Sequence, residues 1–379
     1  MRGLNKFVGY VKSLIFPFVP IGLLELRDYK REKSSNYFYG GYKEYLSSTS
    51  LNSVDSLLTR NYKQVVDVIG FGYSGSGAVI DLFAECDNVN TIGYSEENTY
   101  DKVDVTIGYE TDFVRLSGGL FEIEKYLDSN NFFHNDALLN RFIKCVENFP
   151  PFKECKEIRN SFFDFFDKIV ELKIMDLNWN AYNPYLYPFK KKSNIFFLKK
   201  MSLADYHKLV SELLIKILNI LNREKNSDFL VFDHIFGDGE MDAAKNEKYI
   251  NGCKTIIVYR DPRDVYAFAK KTDMAWIAHN SVDDFIAWYK IMVRNLNLND
   301  QKQLIVQFEK LVVDYESEIK RIFDFVGLNP IFHNQDKKFK HFNPKFSIGN
   351  VGIWRNSMIP NSEFDMIYKS LKPYCYYEL

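Results

Sequence analysis

The sequence predicts an α/β fold with a parallel sheet covered by helices. A short β-branched run, VVDVIG (65–70), is followed by a Gly/Ser loop, FGYSGSG (71–77), and then by a segment with helical spacing, AVIDLFAE (78–85). A strand, a glycine loop and a helix in this order form the start of an α/β unit. Similar short apolar runs alternate with helical stretches along the rest of the chain.

The later strands are predicted from short apolar runs. They lie at 90–94, 228–235, 254–260 and 303–308. Helical spacing is found at about 119–128, 136–148, 158–172, 203–223, 282–298 and 312–326. Strands that are apolar on both faces are typical of a parallel sheet with helices on both sides.

Composition changes along the chain indicate how it is organised. Residues 28–60 are polar and rich in Tyr and Ser, so residues 1–60 are interpreted as an N-terminal arm or linker and residues 61–379 as one domain. Residues 130–203 carry many aromatic side chains and no clear strand. We expect them to form a helical insertion, which is a natural wall for a bound ligand.

Charge and cysteine content restrict the class of protein. The net charge is −1, so there is no overall positive field, and nucleic acid is not an expected partner. The five cysteines are odd in number and none are closely spaced, which predicts neither a metal site nor a disulfide framework. A reducing, cytoplasmic location is therefore expected.

An apolar segment, SLIFPFVPIGLL (13–24), lies near the N-terminus. It is too short to cross a bilayer, and Pro17 and Pro20 interrupt it. No small-residue cleavage site follows, which argues against a processed signal. The favoured interpretation is a buried or self-packing segment. The alternative is contact with the surface of a membrane, at its inner face.

The first motif is the Gly/Ser loop, which has the character of an anion site. Its residues are Gly72, Tyr73, Ser74, Gly75, Ser76 and Gly77. Small residues let backbone N–H groups approach an anion, the following helix adds its positive end, and Ser74 and Ser76 add hydroxyl donors.

Three other interpretations of this loop stay open. The spacing nearly matches GxxxxGK[ST], but Ala78 and Val79 stand where that motif has Lys and Ser/Thr. Glycines 70, 72 and 75 also fit GxGxxG, a dinucleotide fingerprint that is weak when it stands alone. A tight turn without a ligand is the third alternative.

The second motif is Arg-Asp-Pro-Arg-Asp (260–264), directly after a predicted buried strand. Ligands of open α/β sheets bind at the carboxyl ends of strands, and Arg260 can donate two hydrogen bonds to a phosphate there. Pro262 begins a helix for which Asp261 is a possible N-cap. Arg263 and Asp264 could pair on the helix surface, and the whole motif could be a capped helix start with surface ion pairs.

The third motif is a loop with breakers, FNPKFSIGNVGIWRN (342–356). Gly349 and Gly352 permit close approach of the backbone, and Trp354 follows. Lys345 and Arg355 make the loop basic. Such a loop could fold over a nucleotide, or it could be a surface loop anchored by a buried Trp.

In this order and spacing, the three motifs resemble the PAPS-dependent sulfotransferases, whose donor is 3′-phosphoadenosine 5′-phosphosulfate. The resemblance covers roughly residues 64–356 and is strongest in RDPRD, in FEKLV…FVGL and in GNVGIW. It implies a P-loop NTPase-like, three-layer α/β/α fold with a central parallel sheet. It also implies transfer of a sulfuryl group from PAPS to a hydroxyl, with PAP as the product.

The resemblance also implies roles for individual residues. Tyr73 to Gly77 would cradle the 5′-phosphosulfate, Arg260 would bind the 3′-phosphate, and Gly349 to Trp354 would cover the adenosine and the 3′-phosphate. Three positions depart from the family pattern. Tyr73 replaces a Lys or Arg, Phe268 replaces a Ser, and Ser347-Ile348 replaces an Arg-Lys pair, for which Lys345 or Arg355 could compensate.

Candidates for a general base come from two segments. GYETDFVRLSGG (108–119) resembles the acceptor-side segment of carbohydrate sulfotransferases, where a Glu can act as base, so Glu110 is the first candidate and Asp112 the second. Asp233 and His234 end a predicted strand, and the unperturbed pKa of a histidine suits proton transfer near neutral pH. A solvated carboxylate and a structural histidine are the alternatives.

We expect a carbohydrate or glycolipid acceptor, with the insertion 130–203 on the acceptor side. The Lys/Asn/Ile-rich, Phe/Tyr-heavy composition is compatible with an AT-rich bacterial genome, which suggests a surface polysaccharide or glycolipid. The alternatives are a non-catalytic PAP- or nucleotide-binding protein on the same fold and a small-molecule kinase. An NAD(P) oxidoreductase is a further one, but RDPRD and GxxGxW have no role in it.

Overall fold

The computed structural model describes residues 36–48, 59–92, 109–128, 136–178, 192–235, 248–274, 277–296 and 303–376. The chain divides into two compact units, Met1–Asn52 and Ser53–Leu379. The described part of the first unit is helix α1, Asn36–Ser48, inside the stretch that we interpreted as an irregular arm. Phe38 and Tyr42 are both fully buried and lie one helical turn apart with ring centroids at 6.0 Å, a spacing that stabilises a helix. The apolar segment 13–24 lies outside the described residues.

The second unit is built on a sheet of five parallel strands in the order β2–β5–β1–β6–β7. The strands are β1 (Gln64–Gly70), β2 (Val89–Thr91), β5 (Phe229–Asp233), β6 (Lys254–Tyr259) and β7 (Gln303–Gln307). Strands β3 (Val170–Asn178) and β4 (Lys192–Leu198) form a separate antiparallel pair. All five predicted strands of the central sheet are confirmed. Strands β1, β5, β6 and β7 are mainly apolar and largely buried, whereas β2 is a three-residue edge strand, Val-Asn-Thr.

Helices pack on both faces of the central sheet. Among the described residues, the α-helices of this unit are α2 (Ser76–Ala84), α3 (Tyr109–Asp128), α4 (Asp136–Glu147), α5 (Pro150–Glu154), α6 (Lys156–Ile169), α7 (Leu203–Leu221), α8 (Pro262–Thr272), α9 (Val282–Met292), α10 (Phe308–Val313), α11 (Tyr315–Val326), α12 (Pro344–Ser347) and α13 (Asn361–Leu371). Val68 and Val258 belong to a core shared with α2, α10 and α11. Their neighbours Ile69 and Ile257 point to the other face, into a core shared with α8, α9 and α13. The three-layer α/β/α architecture is therefore confirmed.

Residues 130–203 differ from the expected helical insertion. The segment contains helices, but it also contains the strand pair β3–β4, which the sequence analysis did not predict. Helix α6 ends at Ile169 and β3 begins at the next residue, so no Gly or Pro marks the change. Several described aromatic side chains of residues 130–203 pack on one another. Phe152, for example, contacts Phe162 and Phe163 edge-on, with ring centroids at 5.7 Å in both pairs.

The winding direction of the sheet reverses between β1 and β6. From β1 the chain continues to β2, at one edge, whereas from β6 it continues to β7, at the other edge. Neighbouring strands whose connections leave in opposite directions create a crevice at their carboxyl ends, and ligands of open α/β sheets bind in such crevices. The fold therefore marks the ends of β1 and β6 as the place to look for a site.

Among the residues that the structure describes, no helix has the length and apolar character needed to cross a membrane.

Replacement of Ile257 by Ala tests the buried central strand. Ile257 is fully buried, so we expect Ile257→Ala to lower the free energy of unfolding by about 2–5 kcal/mol through lost burial and a residual cavity. Ile291 in α9 is 52% exposed, and Ile291→Ala should change it by less than about 0.5 kcal/mol. Urea denaturation measures both. Equal effects of the two variants would contradict the assignment of β6 to the core.

Candidate active site

The Gly/Ser loop lies at the carboxyl end of β1 and leads into α2. The Ser74 N–H donates to the carbonyl of Phe71 at 2.9 Å, and the Ala78 N–H donates to the carbonyl of Gly75 at 3.1 Å. Tyr73 and Gly75 have φ angles of 67° and 93°, so this turn holds two residues in the left-handed region. Gly75 is the N-cap of α2. The first N–H groups of a helix lack i−4 acceptors, and apart from that of Ala78, which is bound to Gly75, those of α2 can bind an anion at this edge of the sheet.

The surroundings of three glycines show why a residue without a side chain stands there. Two are closely packed, and the third leaves the backbone accessible to a ligand. A Cβ at Gly70 would collide with the Ser74 hydroxyl, and a Cβ at Gly75 would collide with the ring of Phe308. At Gly77, in contrast, nothing lies within 4 Å of where a Cβ would be, apart from its chain neighbours and the backbone of its own helix. We expected the small residues to give an anion access to the backbone. Gly77 leaves such access, whereas Phe308 occupies the space at Gly75.

The two predicted hydroxyl donors of the loop lie in different environments. Ser74 is fully buried beneath the loop, and its Oγ has no hydrogen-bond partner among the described residues. Ser76 is half-buried at the first position of α2, and Gly72 is exposed. The Ser74 side chain turns towards Gly70 because the loop folds back on the end of β1. Ser76 is therefore the better placed donor of the two.

Two positions that depart from the family pattern contact each other. The rings of Tyr73 and Phe268 have centroids 4.3 Å apart and planes inclined at 40°. The Tyr73 hydroxyl donates to the sulfur of Met274 at 3.3 Å. An aromatic pair with a thioether thus replaces the Lys or Arg and the Ser that the resemblance led us to look for.

Arg260 follows the last residue of β6 and is buried, with 6% of its surface exposed. Its Nη2 donates to the carbonyl of Asn350 in a short hydrogen bond, and its guanidinium carbon lies 5.0 Å from the centroid of the Phe308 ring. The same ring contacts Gly75. Arg260 and the loop therefore both contact the ring of Phe308. The guanidinium, however, is hydrogen-bonded within the protein and is not exposed to a ligand.

Glu309 is a functional candidate that the sequence analysis missed. It is fully buried, its Oε1 accepts the Asp261 N–H at 2.9 Å and lies 3.9 Å from the Arg260 Nε. Burial raises the pKa of this carboxyl to about 8, against the smaller lowering effect of the Asp261 N–H. Glu309 follows the carboxyl end of β7 by two residues, and that position is the one sequence signal that could have drawn attention to it.

Asp264 binds the third motif through backbone groups. Its carboxylate accepts the Gly352 N–H at 2.8 Å and the Trp354 N–H at 3.1 Å. Gly352 has a φ of 72°, which turns the chain so that both N–H groups meet one carboxylate. Burial raises the pKa of Asp264, while the charge of Arg260 and these N–H groups act against the rise. The second and third motifs are thus joined directly.

Arg263 lies inside the protein, with its carboxylate partner at the start of α8. Its Nε and Nη2 donate to the two carboxylate oxygens of Asp261 at 3.0 and 2.5 Å, and Nη2 also donates to the carbonyl of Tyr376 at 2.9 Å. Its guanidinium carbon lies 4.4 Å from the centroid of the Trp354 ring. A surface pair of Arg263 with Asp264, which we considered from the sequence, is wrong because both side chains are buried and bind other partners. The predicted N-cap at Asp261 is confirmed.

The turn 349–354 presents both apolar and basic groups. The half-buried Trp354 ring packs on Phe364 with centroids 5.3 Å apart. Arg355 and Lys345 are exposed, and Arg355 lies 5.4 Å from the Trp354 ring. Gly349 is exposed with open space beside it. A compensating role for Lys345 or Arg355 stays a prediction.

Asp233 and His234 lie on the other side of β1, where β5 ends. The Nδ1 of His234 is 2.6 Å from the Oδ1 of Asp233, and its Nε2 is 2.5 Å from the carbonyl oxygen of Gly70. Burial alone would lower the pKa of His234, but the hydrogen bond and charge of Asp233 outweigh it, with help from the Gly70 carbonyl and Asp67, and raise the pKa to about 9. At neutral pH the ring is protonated, which is the wrong state for the general base that we considered.

Glu110 and Asp112 fall in the first turn of α3, which begins at Tyr109. The sequence analysis placed helical spacing only from about residue 119, so this helix is longer than predicted. The side chains of Glu110 and Asp112 lie outside the described part of the structure, and their role as base stays a prediction.

The three motifs meet at the carboxyl ends of β1, β6 and β7. Phe308 contacts the loop and Arg260, Arg260 binds the carbonyl of Asn350, and Asp264 binds the turn that follows. The arrangement can bind an anion at the start of α2. It offers one guanidinium that would have to exchange its internal partner for a ligand.

Comparison with known proteins identifies neither a matching family model nor a matching curated protein. Among solved structures, the sulfotransferase STF1 from Mycobacterium tuberculosis H37Rv is similar over 90% of this chain and 81% of its own, with 10% identity and a TM-score of 0.38. The sulfotransferase domain of the Synechococcus PCC 7002 olefin synthase is similar over 84% of this chain and 96% of its own, with 13% identity and a TM-score of 0.35.

A retinol dehydratase in complex with androsterone and inactive cofactor PAP is similar over 87% of this chain and 84% of its own, with 14% identity and a TM-score of 0.29. At such identities and TM-scores, these likenesses carry no argument about what this chain does. The function has to be argued from its own residues.

Paired glycine variants test the packing of the loop. Gly75→Ala should lower the free energy of unfolding by about 2–4 kcal/mol, because it places a side chain at a φ of 93° and against Phe308. Gly77→Ala meets open space within a helix and should raise it by up to about 1 kcal/mol. Thermal and urea denaturation measure both. A Gly75→Ala protein as stable as the unmodified one would contradict the loop–Phe308 contact.

Proposed function

We propose that this protein is a sulfotransferase that transfers a sulfuryl group from PAPS to a hydroxyl of a carbohydrate or glycolipid. The observation that carries the proposal is the position of the motifs in the sheet. The Gly/Ser loop follows β1, and Arg260 follows β6, which are the two strands between which the winding direction reverses. A ligand with an anionic group at each of its two ends could bind the loop with one end and Arg260 with the other.

The loop suits the phosphosulfate end of such a donor. In sulfuryl transfer, the acceptor oxygen and the leaving phosphate must lie in line with sulfur, and charge grows on the leaving oxygen. Fixed N–H dipoles at the start of α2 stabilise that charge without reorganisation, and Ser76 adds a hydroxyl donor. The open space beside Gly77 supports approach of the anion to these amides.

Arg260 suits the 3′-phosphate, provided that the ligand replaces the carbonyl of Asn350. A guanidinium binds a phosphate more strongly than it binds a neutral carbonyl, because donor and acceptor are then both charged. The buried Nε of Arg260 has no hydrogen-bond partner among the described residues, so it is a donor in reserve. We propose that the turn 349–354 moves with Asn350 and then covers the nucleotide.

For the acceptor side, we propose Glu110 as the general base, with Asp112 as the second candidate. Asp233 is hydrogen-bonded to His234, and His234 carries both of its protons at neutral pH, so the histidine is not the proposed base. The proposed acceptor site lies beside the insertion 130–203. The proposed location is the cytoplasm, with a buried N-terminal segment and, as the alternative, contact of that segment with the inner face of the membrane.

Nucleotide titrations test this proposal. PAP at 100 times its Kd should raise the free energy of unfolding by about 2.7 kcal/mol, and ATP and NAD⁺ should not. PAP should also bind more tightly than AMP, because AMP lacks the group that Arg260 would bind. Arg260→Lys keeps the buried charge but loses the forked donor set, and it should reduce the preference for PAP over AMP about tenfold.

The matched control is Arg223→Lys, since Arg223 is exposed and pairs with Glu157 away from the motifs. Transfer of radiolabelled sulfate from PAPS to a panel of glycans then tests catalysis. PAP binding without transfer to any acceptor would favour a non-catalytic binding protein. An equal response to ATP would favour a kinase, and an unchanged PAP preference in Arg260→Lys would refute the assignment of this arginine.

A further inference from the structure

His234 occupies a strained position between β5 and β1. It is a non-glycine residue with a φ of 60°, a region that costs about 1–2 kcal/mol for residues with a side chain. Its N–H donates to the carbonyl of Val68 at 3.1 Å, which extends the pairing of the two strands beyond Asp233. Such outliers persist only where the surroundings hold them, and they cluster at functional sites. Here the backbone turn directs the imidazole onto the Gly70 peptide.

Both ring nitrogens of His234 face an acceptor. Nδ1 lies 2.6 Å from a carboxylate oxygen of Asp233, and Nε2 lies 2.5 Å from the carbonyl oxygen of Gly70. A neutral imidazole has one N–H and can serve only one of them, whereas an imidazolium serves both. The Gly70 N–H also lies 2.9 Å from Nε2, but an unprotonated Nε2 would bring two lone pairs face to face at the shorter distance. The geometry therefore favours the imidazolium.

The charged surroundings agree with this assignment. Asp233 from the same strand and Asp67 from β1 are charged groups that act on the ring. Asp67 is fully buried and accepts the Ile235 N–H at 2.9 Å, next to the histidine in the chain. These carboxylates and the Gly70 carbonyl raise the pKa of His234 to about 9 in spite of its burial.

We infer that His234 is a positioning residue, a protonated clamp that holds the Gly70 carbonyl and so fixes the entry to the Gly/Ser loop. Gly70 is the last residue before the loop, and the hydroxyl of Ser74 occupies the space that a Cβ at Gly70 would take. A shift of Gly70 would therefore shift the loop. Because both N–H groups are in use, His234 acts through the loop geometry and takes no proton from the acceptor.

This clamp depends on pH with a defined sign. The folded pKa of about 9 lies above the ordinary value of 6.5, so the stabilisation is complete below about 6.5 and is lost as the pH rises through about 9. Deprotonation removes one of the two ring hydrogen bonds. The inference rests on the proposed function where it concerns the donor, because an ordered loop is what an anionic donor would need.

The first experiment needs no donor. A ¹H–¹³C NMR titration of the imidazoles in the full chain, assigned with His234→Gln, should show His234 titrating near pH 9. His207→Gln serves as the matched control, since His207 pairs with Glu124 on α3. A His234 ring that is deprotonated below pH 7 would overturn the inference, whatever the protein binds.

The second experiment measures PAP affinity at pH 7 and at pH 9.5. We expect the unmodified protein to bind PAP about tenfold more tightly than His234→Gln at pH 7 and only about threefold more tightly at pH 9.5, where about a quarter of the His234 rings would still be protonated. Glu309 titrates in the same range but is common to both proteins, so its effect cancels in the ratio of the two affinities. His207→Gln should bind like the unmodified protein at both pH values.

A ratio that does not change with pH would mean that His234 serves packing alone. Absence of PAP binding to the unmodified protein would refute the proposed function. In that case the NMR titration alone would test whether His234 is protonated and holds the Gly70 carbonyl.

Discussion

Strand β1 pairs with β5 on one side and with β6 on the other, and the positions of the candidate groups follow from these two registers. Gly70 is paired with Val258, so Arg260 emerges two residues beyond the strand end that carries the Gly/Ser loop. Val68 is paired with Asp233, so His234 comes to lie beside the Gly70 peptide. Because parallel strands end at one edge, three distant segments of the chain deliver their polar groups there without long loops.

Several charged side chains at this edge of the sheet bind other groups of the protein and stabilise the fold. Asp264 binds two backbone N–H groups of the turn 349–354, and Asp261 with Arg263 ties α8 to the backbone at Tyr376. Removing one member would leave a buried charge or buried N–H groups without partners, which costs more than the bond itself contributes. The sequence RDPRD alone therefore does not distinguish a ligand site from a set of internal contacts. In this chain its last three charged residues make internal contacts, and its first, Arg260, is the one proposed to bind a ligand.

The extent to which the sequence predicts the structure differs between strands and contacts. The strands were predictable because VVDVIG and TIIVYR are short apolar runs, and the N-cap was predictable because Asp precedes Pro. The strand pair β3–β4 was not, since α6 passes into β3 without a breaking residue. Burial of Arg263 and Asp264, the contact of Tyr73 with Phe268, and the two acceptors of His234 depend on registers between distant segments, which local pattern does not contain.

The absence of a loop cation also has a structural answer. Tyr73 stands where the resemblance implies Lys or Arg, and its ring packs on Phe268, so a cation cannot be restored there without breaking that pair. The imidazolium of His234 lies instead behind Gly70, where Asp233 partly balances its charge. In the proposed reaction, this imidazolium would hold the loop in place, and the backbone amides, which carry no net charge, would stabilise the leaving oxygen.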